Sequence, residues 1–80
     1  MQNDMGPDDF DHTAHLLGHC LAERALGLFL RKEQTIPREW EGNADDARSL
    51  AAEFADPEDR EILARAVLRQ AIAAWTSLVR

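Results

Sequence analysis

Apolar residues recur along this chain at helical spacing. Phe10, Ala14, Leu17, Leu21, Ala25 and Leu28 follow one another at three- and four-residue steps and so share one helical face, which predicts a helix over about residues 8–32. Ala47, Leu50, Ala51 and Phe54 form a narrower stripe and predict a second helix over about 44–55. Leu63, Val67, Ala71, Ala74 and Leu78 mark a third, over about 57–78, with Ala64, Leu68 and Trp75 widening its apolar face and Ile72 and Val79 widening it further. Arg65, Arg69, Thr76 and Arg80 lie opposite. An apolar face that wide implies contact with two neighbours, as in a bundle. No strand-like alternation and no internal repeat interrupts the pattern. The expected fold is all-α, a compact three-helix bundle, and an oligomeric one.

The punctuation agrees with these limits. Pro7 followed by Asp8 and Asp9 is a good helix start, because proline suits the first turn and carboxylates there favour the helix dipole. Residues 1–6 are expected to be disordered, with residues 7–80 forming one helical domain. Ile36-Pro37 cannot easily continue the first helix, since the residue before proline avoids helical angles, and Thr35 is placed to cap a short turn over Pro37–Trp40. Gly42 and Asn43 punctuate again, and Asn43 with Asp46 resembles a capping box. In Asp56-Pro57-Glu58-Asp59, Asp56 is expected to cap, Pro57 to take the first helical position and the acids to fill the first turn. Gly18 and Gly27 each cost roughly 1 kcal/mol against Ala inside a helix, and imply either a close helix approach or a bend.

Eighty residues leave room for one core. A core of that size gives a thin stability margin, often remedied by oligomerisation or by docking on a larger partner. The net charge of −6 argues against direct nucleic-acid binding, which needs clustered Lys and Arg. It suits a partner with a basic surface. The charge is blocky: residues 39–61 carry nine acids against Arg48 and Arg60, whereas residues 62–80 carry Arg65, Arg69 and Arg80 and no acid. Part of this follows from the preference for acids at helix starts and bases at helix ends. Cys20 is the single cysteine, so no internal disulfide forms, which fits a reducing compartment; the expected location is the cytoplasm. The N-terminus has no basic start or apolar core of a signal peptide, and no apolar run is long enough for a membrane span.

Three constellations are candidates for function. His12, His15 and His19 fall on one side of the first helix, and His15 and His19, four residues apart, have the spacing at which two imidazoles could share a metal ion. Cys20 is turned away from them, and no CxxC pair supplements the set. The second is the segment 25–30, apolar all round and therefore in need of cover on more than one side. Leu16, Leu26 and Leu30, with His12, His19 and Glu23 between them, make a self-pairing seam. Alternatively the loop carrying Ile36 and Trp40 folds back over this segment, and both arrangements are compatible with Trp40 at an interface rim. The third is the acidic middle, Glu39, Glu41, Asp45, Asp46, Glu53, Asp56, Glu58, Asp59 and Glu61, read either as a solvated capping face or as a negative patch for a basic groove on a partner. The partner-binding residues expected from these patterns are Leu16, Glu23, Leu26, Leu30, Glu39, Trp40, Glu41, Asp45 and Asp46.

No glycine-rich phosphate loop, GxSxG, HExxH or calcium-loop pattern is present, and Ser49 and Ser77 lack any nucleophile context. The chain is not expected to be an enzyme or to carry a cofactor. The run Ala22-Glu23-Arg24-Ala25-Leu26-Gly27-Leu28, followed by Ile36-Pro37-Arg38-Glu39-Trp40, resembles the helix–loop–helix of nitrile hydratase β-subunits and their accessory proteins, where an A-L-x-L helix leads to a turn and an E-W pair. The resemblance is confined to residues 22–40, lacks the tryptophan that usually precedes that helix, and carries over no function or residue role. The expected function is binding to a protein partner, as a homodimer or as a small subunit of a larger assembly. Inhibition or regulation of a nucleic-acid enzyme through the acidic surface is one form of it. The alternative is metal binding, or an enzyme-accessory role, through His12, His15 and His19.

Overall fold

Three helices, α1 (Pro7–Arg31), α2 (Ala44–Phe54) and α3 (Pro57–Leu78), make up the structure, a computed structural model that describes the backbone of residues 7–79 and side chains from Asp9 to Val79. The expectation of disorder over residues 1–6 lies outside the described residues. The predicted helix limits agree with the observed ones to within a residue.

Each boundary has a local cause. α1 stops in a left-handed cap: Glu33 takes φ 54°, Glu33 N donates to Leu30 O at 3.1 Å, and Gln34 N donates to Phe29 O at 3.0 Å. This pair of bonds is the Schellman arrangement, here built on Glu where Gly is usual. α2 begins at Asn43, whose Oδ1 accepts from Asp46 N at 3.1 Å. α3 begins with Pro57 at its first position, but the Asp56 side chain makes no cap hydrogen bond; only its carbonyl takes up Asp59 N and Arg60 N. That corrects the side-chain cap expected at Asp56.

The chain runs up, down and up. Contacts of α1 with α3 advance together, from His15 on Gln70 to Gly18 on Ala71 and Phe29 on Trp75, so these two helices run in the same direction. Contacts of α2 with α3 run in opposite senses, with Arg48 on Glu61 and the preceding Gly42 against Leu68. α3 is the central helix and packs on both others, while α1 and α2 touch little. The core comprises Ala14, Leu21, Ala22, Ala47, Leu50, Ala51, Leu63, Ala64, Val67, Ala71 and Trp75. α1 and α3 approach closely at Gly18: a Cβ there would lie 2.5 Å from Gln70 Cβ and 2.7 Å from Ala71 N. Of the two explanations for Gly18, close approach is the observed one. Gly27 has nothing within 4 Å of such an atom.

α2 is short, spanning about 16 Å against about 37 Å for α1 at 1.5 Å per residue. The upper half of α3 is therefore covered by the connecting loop. Trp75 donates its indole N–H to Pro37 O at 2.9 Å, and Trp40 stacks on Trp75 with ring centroids 4.6 Å apart. Phe29 meets the same indole edge-on at 5.7 Å. Three residues expected within buried stripes are exposed instead: Leu28, Phe54 and Ile72. Phe54 ends α2 just before the chain reverses, and Leu28 borders a groove on the side of α1 that packs little against α2. Among the described residues, no helix is long and apolar enough to cross a membrane.

Candidate functional site

The face of α1 turned away from α3 carries the apolar residues that the core leaves over. Leu16 is 53% exposed and Leu30 59% exposed, while Leu26 is half-buried. His12, His19 and Glu23 are exposed on the same face. His19 Nε2 lies 3.0 Å from Glu23 Oε1, one helical turn along. The loop packs onto α3, where Trp40 stacks on Trp75 and Phe29 of α1 meets the same ring, and Leu16 and Leu30 stay exposed.

The histidines are not gathered around one point. His15 leans toward α3, with Nδ1 3.3 Å from Gln70 Oε1, while His19 turns to Glu23. Among the described residues no three His, Cys, Asp or Glu side chains converge as a metal-binding group. Cys20 is an exposed free thiol.

The acidic middle is spread along the loop, α2 and the start of α3. Glu39, Glu41, Asp45, Asp46, Glu53, Asp56, Glu58, Asp59 and Glu61 are all exposed. Arg48 sits among them, with Nη1 3.3 Å from Asp45 Oδ1 and Nε 3.5 Å from Glu61 Oε2. Carboxylates spread over an exposed surface in this way supply a negative field.

A shallow groove of about 250 Å³ opens between the second half of α1 and the start of α2. Leu28, Phe29 and Trp40 give it an apolar floor, and Arg24, Lys32 and Asp46 border it. Trp40 is half-buried here, held on Trp75 of its own chain rather than standing free. Pairing the loop with Trp75 was not foreseeable from helical periodicity; the only sequence signal was two tryptophans in a chain with few aromatics.

Together these features define an all-α domain of three helices with leucines exposed on the outer face of α1 and a separate acidic surface. The chain matches no protein-family model, no curated protein and no solved structure.

Proposed function

We propose that this chain is a protein-interaction module. The outer face of α1 (Leu16, Glu23, Leu26 and Leu30) forms the contact, and the acidic surface of Glu39, Glu41, Asp45 and Asp46 steers and orients a partner with a basic surface. The observation that carries this reading is the exposure of Leu16 and Leu30 on the face of α1 opposite the one that buries Ala14, Leu21 and Ala22 in the core. Apolar side chains aligned on a single face gain free energy when a partner removes them from water. Charged groups outside such a contact act mainly on association rate and specificity. One specific form of this function is inhibition or regulation of a nucleic-acid enzyme, with exposed carboxylates occupying a basic groove.

The test compares wild type with the double variant Leu16→Glu/Leu30→Glu in affinity capture from the native cell, with helicity checked by circular dichroism. Both positions are exposed, so the variant should fold. A partner held by wild type and lost by the variant supports the reading; equal retention by both overturns it. For the nucleic-acid enzyme form, added protein should displace DNA or RNA from the captured partner, less so as salt rises.

A further inference from the structure

The spacing on the outer face of α1 says more than that it is apolar. His12, Leu16, His19, Glu23, Leu26 and Leu30 follow one another by alternating steps of four and three residues, the spacing of a coiled-coil seam. They project opposite to Ala14 and Leu21, and every one but the half-buried Leu26 is exposed. Thr13, Cys20 and Gly27 lie seven residues apart along one flank, and Gly27 has open space where a Cβ would be, so a second helix can come close on that side.

Charge selects what covers this seam and in which direction. A parallel, in-register pair would set Glu23 on Glu23 and His19 on His19. Like charges directly opposite each other are destabilising. An antiparallel pair meets none of these conflicts. We infer that α1 pairs antiparallel with α1 of a second copy of this chain, in the register that sets Leu16 against Leu26 of the second copy and His19 against Glu23 of the second copy. Each contact occurs twice about the two-fold axis, and His12 then faces Leu30 of the second copy. The contact within each chain, His19 Nε2 with Glu23 Oε1 at 3.0 Å, becomes half of a four-membered ring of alternating partners at the axis. Leucine contacts close the ring at both ends. This rests on the docking-face reading above and takes a second copy of this chain as the occupant of that face, which leaves the acidic surface of each copy for a basic partner.

Three measurements test it. The molar mass by sedimentation equilibrium should rise from one chain toward two between about 10 μM and 1 mM, a range suited to a small, partly polar seam. His19→Glu should weaken the dimer by about fivefold, because it sets Glu against Glu23 of the second copy twice, and His19→Glu/Glu23→Lys should restore it. In a parallel dimer the double variant would set Glu on Glu and Lys on Lys, and no rescue would occur. In a Cys20→Ser background, Leu16→Cys and Leu26→Cys chains should form a disulfide with each other when mixed, and neither should form one alone. A single-chain mass across the whole range, or self-crosslinking of Leu16→Cys, overturns the proposal. If the chain stays monomeric while partner capture still depends on Leu16 and Leu30, self-pairing fails and the docking face stands.

Discussion

Trp75 donates its indole N–H to the carbonyl oxygen of Pro37, 2.9 Å away and 38 positions earlier in the chain. Trp75 is almost completely buried, so this bond satisfies a polar group that burial would otherwise strand. The same ring is stacked by Trp40 and met edge-on by Phe29. One side chain on α3 thus fixes both the loop and the end of α1. Trp75→Phe should lower stability by about 2 kcal/mol, combining lost volume with an unpaired carbonyl. For a domain of this size that is a fall in melting temperature of about 8–16 °C. Thermal unfolding followed by circular dichroism measures it. Trp40→Ala should release the loop with less effect on helicity, and faster amide exchange over residues 33–42 should report that release.

Gly18 and Gly27 lie on the same helix, and their substitution should act with opposite signs. Gly18→Ala places a methyl against the backbone of Ala71, which cannot move without shifting α3. The expected loss is about 1–3 kcal/mol. Gly27→Ala meets open space and removes a poor helix former, so a gain of up to about 1 kcal/mol is expected. Urea midpoints of the two variants decide the matter, and matching signs would disprove the packing described for Gly18.

Helix limits were legible in the sequence because proline and side-chain capping signals are local. Asn43 and Pro57 act within one turn of where they stand. Burial was less legible, because it depends on which neighbour arrives. Ala22 is fully buried although it stands beside the predicted stripe, since α3 packs on that flank of α1. Phe54 and Leu28 fit their stripes yet stay exposed, because Phe54 is the last residue of α2 and Leu28 lies where α1 packs little against α2. The outer face of α1 was legible from the surplus of leucine. The stacking of Trp40 on Trp75 was not, because no periodicity relates a loop residue to a helix so distant in sequence.

Glu33 adopts a left-handed backbone conformation at the end of α1, with φ 54°. A side chain with a Cβ is strained there, whereas glycine adopts it freely. Glu33 is exposed and makes no side-chain bond among the described residues. Glu33→Gly should therefore raise stability by about 1 kcal/mol while leaving the cap bonds from Glu33 N and Gln34 N in place. Asn43→Ala should do the reverse, costing about 1 kcal/mol through loss of the bond to Asp46 N. A melting-temperature series over the two single variants and the double should be near additive, because the caps belong to different helices.

Arg48 is the lone base of α2, and it stands between Asp45 and Glu61, bridging α2 to α3. Its side chain is 54% exposed, so water screens both contacts. Arg48→Ala should cost less than about 1 kcal/mol for that reason. The cost should shrink as salt rises from about 10 mM to 0.5 M, since the lost term is Coulombic and the Debye length falls from about 30 Å toward the contact distance. Arg48→Lys should recover only part of it, because one ammonium cannot span two carboxylates as a guanidinium fork does. Removing Arg48 also makes the acidic surface more negative without touching the α1 seam. If that surface steers a basic partner, Arg48→Ala should raise the association rate and steepen its salt dependence while leaving the dissociation rate nearly unchanged. Stopped-flow or surface-binding kinetics on the captured partner read both rates, and a change confined to dissociation would place Arg48 inside the contact instead of beside it.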